Sequence, residues 1–253
     1  MKKYKIGIAL GGGGARGFAH LGVLKALEER GIKPDIISGA SAGSIVGGFY
    51  ADKKTPEEIF KIIKEKGFFK YTNFNIPKTG LVGLEGLEKQ IDEDLSVENI
   101  EDLAVPFFAA VTNLNAGRVE YFDKGDASSV IKASSAIPVL FSPVEMNGAL
   151  YADGGILDNV PVAPLSDICE KTIAVDISPL TEMKTIENLF QIALRTFQLS
   201  VNKSSKDLEK RCDLLISLEE CSRFDLLNTN NAKELYDIGY DYVMNADLTP
   251  IKN

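Results

Sequence analysis

A serine occupies what the sequence marks as a sharp turn between a strand and a helix. Residues 39–43 read Gly-Ala-Ser-Ala-Gly, directly after an apolar run and directly before a helix-like stretch over 44–51. At such a turn the strand and helix crowd the residues beside the serine, and Gly39 and Gly43 relieve that crowding. The pattern predicts a nucleophile elbow that exposes the Ser41 hydroxyl beside a helix N-terminus, where negative charge is favoured. A plain backbone bend is the alternative.

A second glycine-rich loop lies upstream, after the strand-like residues 5–10 and before another helix. Residues 11–17 read Gly-Gly-Gly-Gly-Ala-Arg-Gly. Consecutive glycines let the backbone turn its N–H groups toward one point, which forms an anion site at a helix N-terminus. The loop is therefore suited to hold a phosphate group or an oxyanion.

Three interpretations compete for this loop. Gly12, Gly14 and Gly17 have dinucleotide-binding spacing, but the next strand ends in Ser-Gly-Ala-Ser at 38–41, without the acidic residue that would bind a ribose. A nucleotide-hydrolase phosphate loop requires Gly-Lys followed by Ser or Thr, and residues 17–18 are Gly-Phe. An oxyanion hole, which needs N–H donors aimed at a developing charge, fits best.

A serine nucleophile requires a base, and the composition limits the choice. The single histidine, His20, precedes Ser41 among apolar residues, which is typical of a packed histidine, although a triad order with an upstream histidine exists. The carboxylate candidates are Asp153, Asp158 and Asp176. Asp153 is the most suggestive because two glycines follow it, but spacing alone does not choose among the three.

Several motifs together resemble the patatin-like phospholipases, particularly their small bacterial members. They are Gly-Gly-Gly-Ala-Arg-Gly at 12–17, Gly-Ala-Ser-Ala-Gly at 39–43, Ala-Ser-Ser-Ala-Ile-Pro at 133–138 continuing to Phe-Ser-Pro at 141–143, and Asp-Gly-Gly at 153–155. The resemblance implies a three-layer α/β/α fold with a mostly parallel central sheet.

The same resemblance implies a serine acyl hydrolase that cleaves fatty acyl esters or phospholipids with no metal, nucleotide or other cofactor. It makes Ser41 the nucleophile and Asp153 the base. The backbone of the first glycine loop becomes the oxyanion hole. The oxyanion residues implied are Gly12, Gly13 and Gly14, and the supporting residues are Arg16, Gly17, Gly39, Gly43, Gly154 and Gly155. The competing function class is a non-catalytic module that binds acyl lipid or a partner on the same fold, for which this set would be unnecessary.

Composition limits the partners. A chain of 253 residues with 45% hydrophobic content can bury a full core, and we expect one domain over 1–253. A net charge of −8 argues against nucleic acid and against electrostatic attachment to anionic lipid, so any membrane contact should be apolar and transient. Three widely spaced cysteines and the lack of a signal-peptide pattern or membrane-length apolar run predict a cytoplasmic protein, at most peripheral to the membrane.

Local patterns predict alternating strands and helices. Helices are expected over 18–30, 55–66, 84–95, 185–205 and 232–245, buried strands over 106–111 and 172–177, and a hairpin at Asn-Gly 147–148. The aromatic-rich segment 67–83 is either a cover over an acyl channel or a loop that its aromatic residues anchor to the core.

Overall fold

The protein is represented by a computed structural model. The structure describes residues 3–66, 84–138, 140–180, 182, 186, 189–204 and 207–252. The strands are β1 Tyr4–Leu10, β2 Ile36–Gly39, β3 Phe107–Asn113, β4 Arg118–Phe122, β5 Val144–Met146, β6 Ala149–Asp153, β7 Cys169–Asp176 and β8 Leu214–Ser217. The helices are α1 Phe18–Glu29, α2 Ala42–Ala51, α3 Pro56–Lys66, α4 Glu85–Asp94, α5 Ala127–Ser134, α6 Leu189–Ser204, α7 Ala232–Asn245 and α8 Thr249–Lys252.

One mixed sheet forms the centre of the molecule, with strand order β5-β6-β3-β2-β1-β7-β8 and β4 paired to β3. The pairs β1–β2, β2–β3, β1–β7 and β7–β8 are parallel, and the pairs that involve β4, β5 or β6 are antiparallel. The carboxyl-terminal halves of the central strands β1 and β7 are buried because helices cover both faces of the sheet. Ile8, Leu10 and Ile173 accordingly have no exposed surface. The expected three-layer fold with a mostly parallel sheet is confirmed.

The parallel register brings the ends of three central strands together. Leu10, the last residue of β1, pairs with Gly39 of β2 on one side and Val175 of β7 on the other. The loops that follow these strands therefore leave the same edge of the sheet. This carboxyl edge is where open α/β sheets usually bind their ligands.

Most of the predicted elements are confirmed to within a few residues. The box Thr-Pro-Glu-Glu caps α3, because Thr55 and Glu58 exchange hydrogen bonds between side chains and backbone N–H groups. Asn147 and Gly148 have positive φ angles of 51° and 76°, as a two-residue hairpin turn requires. No element was predicted at β4, α5, β8 or the short helix α8. The aromatic-rich segment 67–83 lies outside the described residues.

Helices α1 and α7 pack against each other through two glycines. A Cβ atom at Gly22 of α1 would lie 1.9 Å from the carbonyl oxygen of Tyr236, and one at Gly239 of α7 would lie 2.1 Å from that of Ala19. Both distances are too short for any side chain, so the two backbones meet directly at this crossing.

We expect Gly239→Ala to lower the free energy of unfolding by about 1–2 kcal/mol. The methyl group would meet backbone that cannot rotate away, and overpacking costs about 1–3 kcal/mol, which outweighs the ~0.5–1 kcal/mol that alanine gains over glycine within a helix. Urea denaturation followed by circular dichroism measures the change. Asp241→Ala, at an exposed position on the same helix, is the control and should change stability by less than about 0.5 kcal/mol. A Gly239→Ala protein as stable as the parent would contradict the direct backbone contact.

Candidate active site

Ser41 lies on the sharp turn between β2 and α2 and has an unusual backbone conformation. Its φ and ψ are 53° and −124°, a region that residues other than glycine rarely adopt. Such strain persists only where the surrounding structure enforces it, and it clusters at functional sites. Here the Ser41 N–H donates to both the carbonyl and the hydroxyl oxygen of Ser134, each at 3.1 Å. The end of α5 therefore holds the serine in place.

The two glycines of this turn are required by contacts of the backbone itself. A Cβ at Gly39 would lie 2.4 Å from the Gly43 carbonyl oxygen, and a Cβ at Gly43 would lie 2.0 Å from that of Leu10. The end of β1, the end of β2 and the first turn of α2 are thus in backbone contact. The predicted strand–turn–helix geometry around Ser41 is present in the structure.

The first glycine loop follows β1 and faces Ser41. A Cβ at Gly12 would lie 3.0 Å from the Ser41 Cβ. The Gly12 N–H donates to the Asn159 carbonyl at 3.1 Å, so this N–H is already bonded. Within the described part of the chain, the N–H groups of Gly13 and Gly14 have no hydrogen-bond acceptor. Gly13 and Gly14 are therefore the better candidates for donors to a ligand.

Arg16 and Gly17 support this loop from opposite sides. The guanidinium of Arg16 is buried and donates to the carbonyls of Ser222 and Phe224 and to the hydroxyl of Ser178, at 2.8–3.0 Å. A Cβ at Gly17 would lie 3.0 Å from the Ala42 Cβ, so the loop packs closely on α2. Arg16 thus braces the loop through backbone carbonyls.

Asp153 ends β6 and is fully buried. Its Oδ1 accepts the Gly155 N–H at 2.7 Å. Its Oδ2 has no regular hydrogen bond within the described residues. Burial raises the pKa of the carboxyl to about 7, and the nearby Ser41 hydroxyl and the Gly155 N–H partly oppose the increase. The contact between the Asp153 carboxyl and the Ser41 hydroxyl is looser than a regular hydrogen bond.

The turn after Asp153 needs its glycines. A Cβ at Gly154 would lie 2.1 Å from the Ala110 carbonyl oxygen on β3. A Cβ at Gly155 would lie 2.8 Å from the Asn159 Oδ1 and 3.0 Å from the Asp153 Oδ1. The glycine pair therefore allows the carboxylate to turn inward against the sheet.

The two other candidate acids have partners elsewhere. Asp158 accepts the Tyr121 hydroxyl at 2.6 Å, and Asp176 accepts the Ser178 N–H at 2.9 Å. Burial raises the pKa of both carboxyls, but neither residue lines the cavity that contains Ser41. The structure thus separates three acids that spacing left equivalent.

His20 lies within α1 and is fully buried. Its Nε2 hydrogen-bonds the Gly11 carbonyl oxygen at 2.7 Å, while its Nδ1 has no partner within the described residues. Burial lowers the pKa of the imidazole to about 4, so the ring is neutral near pH 7. It does not line the Ser41 cavity. The histidine is packed below the glycine loop, as its apolar sequence context indicated.

One small cavity brings the candidate residues together. The space in it that a water molecule can occupy is about 20 Å³, enough for roughly one water. Its walls are Gly12, Gly13, Gly14, Ser41, Ile137, Asp153, Asn159, Ser178, Phe197, Gln198, Val201 and Leu226.

Asn159 and the α6 residues of this wall were not predicted from the sequence. Asn159 donates from Nδ2 to the Gly12 carbonyl at 3.4 Å and accepts the Gly12 N–H at its own carbonyl, so it links the glycine loop to the Asp153 turn. Its position six residues after Asp153 was the available signal. The α6 residues had no such local signal, because only the tertiary fold places this helix over the cavity.

No helix in the described residues is long and apolar enough to cross a membrane. No group of three or more His, Cys, Asp and Glu side chains in that part of the chain converges to hold a metal ion.

Sequence comparison finds relatives of two kinds. An uncharacterized NTE family protein of Mycobacterium tuberculosis is 37% identical over 177 residues, which cover 69% of this chain and 49% of the relative. The lysophospholipase NTE1 of Saccharomyces cerevisiae is 29% identical over 270 residues, which cover 94% of this chain and 16% of the yeast protein. The chain therefore spans about half the length of the mycobacterial relative and a small part of the yeast one.

Structural comparison and a family model agree with these relatives. VipD from Legionella pneumophila superposes with a TM-score of 0.55 over 96% of this chain and 66% of that one, at 18% identity, which shows a shared fold. The family model described as patatin-like phospholipase matches residues 8–166, a segment that contains Ser41, Asp153 and both glycine loops. By this match and by the 37% identity to the mycobacterial relative, the chain belongs to the patatin-like phospholipase family.

Proposed function

We propose that this protein is a serine carboxylic-ester hydrolase that cleaves fatty acyl esters of phospholipids or lysophospholipids. The observation that carries the proposal is that a strained serine, a buried carboxyl and a glycine loop meet in one cavity. Family membership supports lipid hydrolysis, and the yeast relatives are named lysophospholipases. The dyad of Ser41 and Asp153 and the oxyanion hole are the parts that require experiment.

In the first half-reaction, the Ser41 Oγ attacks the acyl carbonyl carbon, and Asp153 accepts the hydroxyl proton. An aspartate of ordinary pKa is a poor base near neutrality, but burial brings the pKa of Asp153 to about 7. The C–O bond to the alcohol then breaks, and the alcohol leaves with the proton from Asp153. An acyl-enzyme ester on Ser41 remains.

The negative oxygen of the tetrahedral intermediate needs donors that are already in place. The N–H groups of Gly13 and Gly14 fill this role in our proposal, because that of Gly12 already donates to Asn159. The hydrogen bonds of Arg16 and Asn159 keep the loop in position before substrate binds. Losing one such donor typically costs about 2.7–4 kcal/mol of barrier.

In the second half-reaction, Asp153 takes a proton from a water that attacks the acyl-enzyme. The Ser41 oxygen leaves and recovers that proton, and the fatty acid is released. Each proton taken up by Asp153 is returned within the same half-reaction, so the cycle consumes only water and ester. We include no metal ion or other cofactor in it.

We extend the proposal to the domain organisation and the cellular location of the protein. The described elements share one central sheet, which supports a single catalytic domain. Cys169, Cys212 and Cys221 form no disulfide with one another, which supports a reducing, cytoplasmic environment. Contact with a membrane surface would then be transient and apolar.

A fluorophosphonate probe should label the protein at Ser41, because the probe needs both an activated nucleophile and oxyanion donors. We expect Ser41→Ala to abolish labelling and ester turnover. Asp153→Asn should reduce turnover by about 10²–10⁴-fold, the contribution that proton transfer by a positioned base typically makes. Intact-mass spectrometry and a chromogenic ester assay measure these effects. Labelling that persists in Ser41→Ala would refute the assignment.

The control for this series is His20→Asn. Asparagine keeps a neutral polar side chain at this position in α1, so we expect most of the activity to remain. Loss as large as that of Ser41→Ala, with circular dichroism unchanged, would make histidine the base and Asp153 a structural residue.

The pH dependence of kcat/KM should identify the base independently. Because Asp153 acts as a base only when ionised, activity should increase with pH and reach half its maximum near pH 7, the pKa of the free enzyme. A profile measured from pH 4 to 9 on a dissolved short-chain ester tests this. A midpoint near pH 4 would instead match His20, whose pKa is about 4.

Asp153→Asn should also stabilise the protein, increasingly as pH rises. The pKa of Asp153 is about 7 in the folded state against a usual 3.8, so its contribution to stability is intact below about pH 4 and is lost as pH rises through 7. Removing the buried charge should therefore raise the free energy of unfolding by a few kcal/mol at pH 8 and by little at pH 4. Urea denaturation at both pH values measures the difference, and an equal effect at both would show that Asp153 is not a strained buried carboxylate.

A further inference from the structure

Helix α6 covers the cavity that contains Ser41 and Asp153. Its residues Phe197, Gln198 and Val201 form one wall of that cavity. The helix is also tied to the turn after Asp153, because the Ser200 hydroxyl donates to the Ile156 carbonyl at 3.2 Å. The inner face of α6 therefore faces the proposed catalytic residues.

The covered cavity is much smaller than a lipid. Ligand pockets typically enclose about 300–1,000 Å³, whereas a water molecule can occupy only about 20 Å³ here. Phe197 and Val201 of α6 occupy one side of the space next to Ser41. A shift of α6 would make room there for a lipid substrate, so any force that draws α6 outward favours substrate entry.

The outer face of α6 carries two exposed aliphatic side chains. Ile192 and Leu199 are seven positions apart, which places them on the same side of a helix, and they are 50% and 49% exposed. The exposed polar residues Thr196 and Ser200 lie beside them. Leu157, 41% exposed, lies close to this helix, because it follows the Ile156 whose carbonyl accepts the Ser200 hydroxyl. We call Leu157, Ile192 and Leu199 the outer apolar face.

The charge of α6 differs from that of the rest of the chain. Its 16 residues contain no Asp or Glu, in a protein with 36 acidic residues and a net charge of −8. Arg195 lies between Ile192 and Leu199 in sequence and is half-buried. A helix with exposed apolar side chains, a cationic residue and no carboxylates has the composition that lies well in a lipid headgroup layer. The acidic remainder of the protein disfavours anionic lipid, so a zwitterionic surface fits best.

We propose that the outer apolar face of α6 docks on a zwitterionic phospholipid surface and that this docking uncovers the Ser41 cavity. The inference rests on the proposed function for its substrate, since the lipid that binds α6 outside also supplies the ester to be cleaved. Contact with lipid stabilises the displaced helix, because it removes Ile192 and Leu199 from water. The enzyme should therefore prefer aggregated lipid to dissolved ester.

The chain contains no tryptophan, which permits a direct test. In the Ser41→Ala protein, Ile192→Trp and Leu199→Trp each introduce the sole tryptophan. We expect phosphatidylcholine vesicles to shift the emission of both to shorter wavelength. The matched control is Tyr242→Trp, at a site 41% exposed on α7, and its emission should not move. Since this protein performs no hydrolysis, docking is measured separately from the proposed activity.

A turnover experiment tests whether docking matters for catalysis. The double variant Ile192→Ser with Leu199→Ser should lower the ratio of vesicle turnover to turnover on a dissolved short-chain ester by about tenfold, because two half-exposed side chains lose their transfer into lipid. Tyr242→Ser should leave this ratio unchanged.

Each alternative outcome overturns the inference. Unshifted emission at 192 and 199, or an equal shift at 242, would show that α6 is not the docking face. A shift that increases with protein concentration and occurs without vesicles would show that a second copy covers the face. An unchanged turnover ratio, together with normal labelling of Ser41, would leave the hydrolase proposal intact and remove the role of α6.

Discussion

Close contact between backbone segments at the carboxyl edge of the sheet is the constraint on which the site depends. The first turn of α2 touches the end of β1 at Gly43, and the turn after β6 touches β3 at Gly154, with no room for a side chain at either point. These contacts leave Ser41 no ordinary conformation and press it into a positive φ. Strain of this kind costs roughly 1–3 kcal/mol, and the surrounding packing must offset that cost.

Burial rather than a charged partner sets the chemistry of the candidate base. Asp153, Asp158 and Asp176 are all buried, and burial raises the pKa of each. They differ in what faces the carboxyl. Asp158 meets a tyrosine hydroxyl and Asp176 a backbone N–H, whereas the Oδ2 of Asp153 has no regular hydrogen bond within the described residues. Of the three acids, Asp153 is the one that lines the Ser41 cavity.

Features that depend on a few adjacent residues could be predicted from the sequence, whereas contacts between distant segments could not. The capping box of α3, the Asn-Gly hairpin and the turn around Ser41 depend on a few adjacent residues, and the structure contains all three. The short strand β8 and the partly exposed β4 give weak periodicity, so both escaped prediction. The choice of Asp153 among the three acids needed either the family resemblance or the fold. It depends on which acid lies near Ser41, and distant parts of the chain determine that. Nothing local to α6 indicates that it covers the cavity.

The hydrogen bonds that hold the glycine loop determine when this loop can take its final form during synthesis of the chain. Arg16 is held by the carbonyls of Ser222 and Phe224, and the Ala15 N–H donates to the Leu226 carbonyl at 2.7 Å. These partners lie more than 200 residues later in the chain, so they emerge from the ribosome long after the loop itself. A nascent chain that has passed Asp153 but has not reached residue 226 contains both candidate residues and lacks this support for the glycine loop. The arrangement of the loop beside Ser41 would then be completed only after residue 226 has emerged.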